Sequence, residues 1–138
     1  MMKVVIDSNI IIDVLRPNPD FETDAKKVFQ LIWQNKITPY ICANSLTDIF
    51  YILRKVQGTE KTKETMINLM TAANILPLTE NDCANALASP MDDFEDAIIA
   101  VSAYKINADY IVSRDEKFMK AATTIEVITP KQLIDKVS

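Results

Sequence analysis

The sequence predicts an α/β fold: a three-layer α/β/α sandwich around a parallel sheet of four to five strands, with a helical hairpin inserted. Three observations predict it. Short β-branched runs such as "KVVI" and "DYIVS" alternate with helical patterns along the chain, the order that builds βαβ units. Those runs do not alternate polar with apolar residues, so both faces of the sheet are expected to be covered. No repeat, low-complexity tract or linker interrupts the 138 residues, a length that fits one domain.

The elements follow in order. Residues 3–6 read as a fully apolar strand, and 9–16 as a short helix stopped before Pro17. Residues 22–36 set Val28, Phe29, Leu31, Ile32 and Trp33 in a polar frame, an amphipathic helix that assigns Trp33 to the core. Residues 38–43 form a second strand. Over 45–57, Leu46, Ile49, Phe50, Leu53 and Val56 recur at helical spacing; Gly58 follows as the C-cap, and 59–73 completes a helical hairpin. Residues 74–78 are a strand, Thr79 caps a helix over 80–89, and 92–106 is a helix apolar almost all round after Asp96. A strand at 109–113, a short helix at 115–122, a strand at 126–128 and a helix opened by Pro130 complete the chain.

Composition removes several chemistries. The chain has no histidine, which excludes His-based triads, His ligation of zinc and His-based ribonuclease chemistry. Its one glycine, Gly58, excludes phosphate-cradling loops of the GxGxxG or Walker type. Cys42 and Cys83 lack CxxC spacing and read as reduced, buried thiols. The formal net charge of −4 argues against a general electrostatic sink for nucleic acid, though not against a local basic rim. The apolar run before Asp7 is too short for a signal peptide, and "IFYIL" and "AIIAVSAY" fall short of a membrane span. A soluble cytoplasmic protein is expected.

What remains is carboxylates. Asp7 follows the first strand and Asp115 follows "YIVSR" in the same way, which places both at the carboxyl edge of the sheet, where open α/β folds bind ligands. Asp48 and Asp96 stand in the first turns of two helices. Each has a structural alternative. Asp7 and Asp115 suit N-capping, Ser45 and Asp48 fit a capping box, and Asp92 with Glu95 fits a looser one. Asp13 suits pairing with Arg16, and Asp93 a solvated position. Together the acids say more, because like charges in one crevice repel unless a cation neutralises them. With only oxygen ligands on offer, Mg²⁺ or Mn²⁺ fits, and such a metal suits phosphodiester hydrolysis.

The stretches "VVIDSNIIIDVL", "NSLTDIFYILRK", "DFEDAIIAVSA" and "ADYIVSRDEKF", in this order and spacing, resemble a PIN domain, the nuclease family that includes the VapC toxins of toxin–antitoxin modules. The resemblance covers nearly the whole chain. It implies a Mg²⁺ or Mn²⁺ site and RNA as substrate, with Asp7, Asp48, Asp96 and Asp115 as the four acids and Asp7, Asp96 and Asp115 as metal ligands. Asn9 and Ser113 match the small polar residues that support such a site. Asp48 departs from the pattern, since the family more often has the longer Glu. A small antitoxin partner and a homodimer are implied in the same way. Arg16, Arg54, Lys55, Arg114 and Lys117 are candidates for phosphate contact, against the alternative that each merely solvates a helix. Two other functions compete: a PIN-fold protein that binds RNA or a partner without cutting, and a phospho-receiver domain. The single acid in "VVIDSN" disfavours the latter.

Overall fold

The computed structural model describes residues 1–121 and 123–137. In chain order the elements are β1 (Met2–Ile6), α1 (Ser8–Leu15), α2 (Glu22–Trp33), β2 (Ile37–Cys42), α3 (Ala43–Gln57), α4 (Thr59–Ala72), β3 (Asn74–Leu76), α5 (Glu80–Ala88), α6 (Phe94–Lys105), β4 (Tyr110–Val112), α7 (Glu116–Lys120), β5 (Val127–Ile128) and α8 (Pro130–Val137). The expected helix at 115–122 is thus shorter, and Ala122 lies outside the described residues.

The five strands form one parallel sheet in the order β3-β2-β1-β4-β5. The apolar runs explain it. In β1, Val4 and Ile6 point into a core shared with α1, α2, α3, α4 and α8, whereas Val5 points the other way, towards Ile99 and Ala103 of α6 and Phe118 of α7. Successive strand residues face opposite sides, so a strand apolar at every position must be covered twice. Strands β2 and β3 are added on one side of β1 and β4 and β5 on the other, so the strand order reverses between β1 and β4 and their carboxyl ends form the topological switch point. Among the described residues no helix is long and apolar enough to cross a membrane.

Four expectations need correction. Trp33 is 71% exposed: α2 turns Ala25, Val28 and Leu31 inward, and Trp33, two residues past Leu31, falls about 200° further round. It borders an apolar groove with Phe29, Ile32 and Leu69. Val56 is likewise exposed, and Cys83 is only half-buried. Asp13 does not pair with Arg16. It is buried and takes a two-pronged contact from Arg114, with Nε donating to Oδ2 at 2.7 Å and Nη2 to Oδ1 at 3.1 Å. Arg114 also lies 4.1 Å from the Phe21 ring centre, so its guanidinium is engaged by the fold.

Gly58 joins α3 to α4 at φ 83°, ψ 169°, a region that only glycine occupies readily. A Cβ there would meet no atom within 4 Å, so the obstacle is backbone conformation alone. Gly58→Ala is expected to cost about 1–3 kcal/mol in urea unfolding. An unchanged midpoint would show that the hairpin relaxes freely.

Candidate acidic active site

Asp7 is the fixed point of the site. Its backbone N–H donates to the Val112 carbonyl at 2.9 Å, which ties the end of β1 to β4. It is the N-cap of α1, its Oδ1 accepting from the Ser8 N–H at 2.8 Å. Oδ2 accepts from Ser113 Oγ at 2.7 Å and from Asn9 Nδ2 at 3.3 Å. Three of its roughly four acceptor positions are therefore filled, and the carboxylate cannot swing. Ser113 is fully buried, and its hydroxyl also accepts from Asn9 Nδ2 at 3.2 Å and from the Asp115 N–H at 3.1 Å. One hydroxyl thereby links the ends of β1 and β4. Asn9 and Ser113 thus orient Asp7.

The other acids arrive from separate elements. Asp115 caps α7, its Oδ1 accepting from the Lys117 N–H at 3.0 Å. Asp96 stands in the first turn of α6, whose N-cap is Asp93 and not Asp92; Asp93 Oδ1 accepts from the Asp96 N–H at 2.9 Å. The Ser45–Asp48 capping box does not form. The α3 helix begins at Ala43 without a side-chain cap, and Ser45 is buried inside its first turn. Asp48 is consequently free of a capping duty and lies in contact with a residue the sequence had assigned elsewhere, Glu95, whose carboxyl hydrogen-bonds it across from α6.

Electrostatics binds these groups into one site. The Asp7 carboxyl is raised above its ordinary range, mainly by burial, opposed by the Ser113 and Ser8 hydrogen bonds, with the charges of Asp115 and Asp48 adding to the rise. Asp96 is pushed up to about 7 by burial and by the charges of Asp93, Asp7 and Asp115. Glu95 is pushed up to about 8, first by its hydrogen bond to Asp48, then by burial and the neighbouring acids. Among the described residues none of the five site acids (Asp7, Asp48, Glu95, Asp96, Asp115) has a basic partner; the ion pairs lie elsewhere, at Lys26–Glu22, Lys105–Asp82 and Arg114–Asp13.

These residues fit a hard divalent cation. All the donors are oxygens, the charge is negative and unpaired, and the amide Oδ1 of Asn9 is buried with no partner among the described residues. Such an orphaned acceptor calls for an unseen water or ion. Turning the amide over would only set its oxygen against Asp7 Oδ2. The carboxylates are near enough to raise one another's pKa, yet among the described residues no three are gathered closely enough to enclose an ion.

Fold and site together define an open α/β protein with an acid-lined crevice at its switch point. The chain belongs to the PIN domain family, whose model matches residues 3–117. Solved structures share the fold. The VapBC2 complex of Rickettsia felis, bound to a DNA fragment from its promoter, superposes with a TM-score of 0.68 at 17% identity, covering 93% of this chain and 98% of that one. VapBC-1 of nontypeable Haemophilus influenzae gives 0.68 at 19%, covering 94% and 99%. VapC20 of Mycobacterium tuberculosis, a sarcin–ricin-loop-cleaving toxin, gives 0.68 at 15%, covering 88% and 96%. No curated protein sequence gives a significant match.

Proposed function

We propose that this protein is a Mg²⁺- or Mn²⁺-dependent endoribonuclease of the VapC kind, acting in the cytoplasm as the toxin of a toxin–antitoxin pair. The observation that carries the reading is the convergence of unpaired carboxylates from β1, α3, α6 and β4 around an immobilised Asp7. Asp7, Asp96 and Asp115 would hold the cation. When bound, it lowers the pKa of a coordinated water and offsets charge on the phosphate.

The chain's own residues do the rest. Ser113 and Asn9 fix the direction of Asp7, so this ligand is preorganised. Glu95, pushed up to about 8 first by its hydrogen bond to Asp48, is a group able to take or return a proton beside the reacting phosphate. Toxin–antitoxin complexes among the fold neighbours support a small antitoxin as partner, one that would place a basic side chain in the crevice. A homodimer is proposed on family grounds alone. Incubation with RNA tests the function: cleavage should appear with Mg²⁺ or Mn²⁺ and vanish with EDTA. Metal binding without cleavage would point to the non-cutting alternative, and EDTA-resistant cleavage would sink the mechanism.

A pH dependence follows. Asp96 and Glu95 keep protons in the folded metal-free protein up to about pH 7 and 8, protons that an unfolded chain releases near pH 4. The native state binds more protons between these limits, so metal-free stability falls as pH rises through the window. Asp82, lowered chiefly by Lys105, acts in the opposite sense only below about pH 4. A cation favours the charged forms, so Mn²⁺ should raise the melting temperature most at about pH 8 and least near pH 5. Melts with and without Mn²⁺ at both pH values check this; no shift at pH 8 would count against the site.

A further inference from the structure

Next to the crevice lies a cavity of about 620 Å³, within the size range of small-ligand pockets. The start of α6 lines it with Asp92, Asp93 and Asp96, and α7 lines it with Lys117 and Lys120. The two lysines stand one helical turn apart on one face of α7, and between them Phe118, fully buried, fixes the helix to the core. Among the described residues neither ammonium makes an ion pair, although three carboxylates line the same cavity. Opposite charges therefore face each other across it, beyond pairing distance.

An arrangement of this kind suits a guest that needs both signs: anionic towards the lysines, and carrying or sharing a cation towards the acids. A phosphodiester chain meets that description. Lysine serves phosphate as a compact point charge, and Lys117 and Lys120 put two such charges on the α7 side of the cavity, apart from the carboxylates. Asp92 and Asp93 border the other side, which leaves the α7 side to the phosphate.

We infer that Lys117 and Lys120 form a phosphate subsite of the acidic crevice, taking the neighbouring phosphate of a single-stranded RNA whose scissile phosphate lies at Asp7, Asp96 and Asp115. The inference rests on the nuclease reading above and gives its substrate a direction, from the acids towards α7. Lys120 enters here as a binding residue on the strength of the cavity alone, since no motif marks it.

Two measurements test the subsite on Lys117→Gln, Lys120→Gln, the double variant and the double Lys→Arg variant. The first is binding of a 2′-O-methylated single-stranded oligonucleotide across roughly 50–200 mM salt. The log–log slope should fall by about 0.7 for each lysine lost, and by about 1.4 for the pair. The second is cleavage kinetics. The double Gln variant should raise KM about tenfold with kcat nearly unchanged, as expected for uniform binding, and the Arg pair should restore both values. An unchanged slope and KM in the double Gln variant overturns the subsite even when cleavage is intact, and so does tighter binding of duplex than of single strand. Wild-type protein that neither binds nor cleaves RNA removes the nuclease reading and the subsite with it.

Discussion

Asp7→Asn lowers metal-dependent RNA cleavage by about 10²–10³-fold, the loss expected when one preorganised charge is removed from a reacting centre, while the protein stays folded. The second half makes the first interpretable. Asparagine keeps the shape of aspartate and one acceptor oxygen, so it retains the bonds from Ser113 Oγ and Asn9 Nδ2. It sets an amide NH₂ against the Ser8 N–H that Asp7 Oδ1 caps at the start of α1, which costs about 1 kcal/mol. Against that, the variant no longer buries a charge that desolvation and two neighbouring acids disfavour. The two effects oppose each other, and the metal-free melting temperature should shift by only a few degrees. Quantitative RNA cleavage and a thermal melt on the same preparation decide the matter. Retained cleavage would remove Asp7 from the chemistry; lost cleavage with a collapsed melt would make its role structural.

Arg114→Ala produces the largest change in stability. It strips a buried carboxylate, Asp13, of both hydrogen bonds and of its only counter-charge among the described residues. Losing one partner of a fully buried pair costs about 3–5 kcal/mol. Arg114 is partly exposed, which lets water reach Asp13 in the variant, so about 2–3 kcal/mol is expected, or roughly 10 °C in Tm for a domain of this size. Part of that loss is packing, because the guanidinium also covers Phe21. Arg114→Met with Asp13→Leu removes both charges and should recover much of the loss. If Arg114→Ala instead matches the wild-type melt and only RNA binding suffers, Arg114 belongs to the substrate after all.

The sheet was legible because local chemistry repeats the global answer. Val4, Val5 and Ile6 admit only a strand covered on both faces, and the absence of alternation says so without coordinates. Thr79 opens its helix with a side-chain cap and Gly58 closes its own by backbone conformation, both set by neighbours in sequence. The acids at strand ends were legible for the same reason: a carboxylate straight after a buried strand can only stand at the sheet edge.

Where the sequence misled, the deciding partner lay far away. Ser45–Asp48 has the pattern of a capping box, but β2 runs into α3 at Cys42, so the helix starts two residues earlier and Ser45 is drawn into the core. Glu95 looked like half of a cap until α3 brought Asp48 against it, 47 residues distant in the chain. Asp13 has Arg16 one turn away, yet the counter-ion that reaches it is separated by 101 positions.

By itself, then, the sequence determined the elements, their parallel pairing, the histidine-free chemistry and the acids at the sheet edge, since each depends on residue type and near neighbours. Tertiary structure alone decided which acid meets which, that Arg114 serves the fold, that Trp33 faces outward, and that two lysines of α7 share a cavity with the acids of α6. Those outcomes depend on distance and desolvation between elements remote in sequence, and no local pattern encodes either.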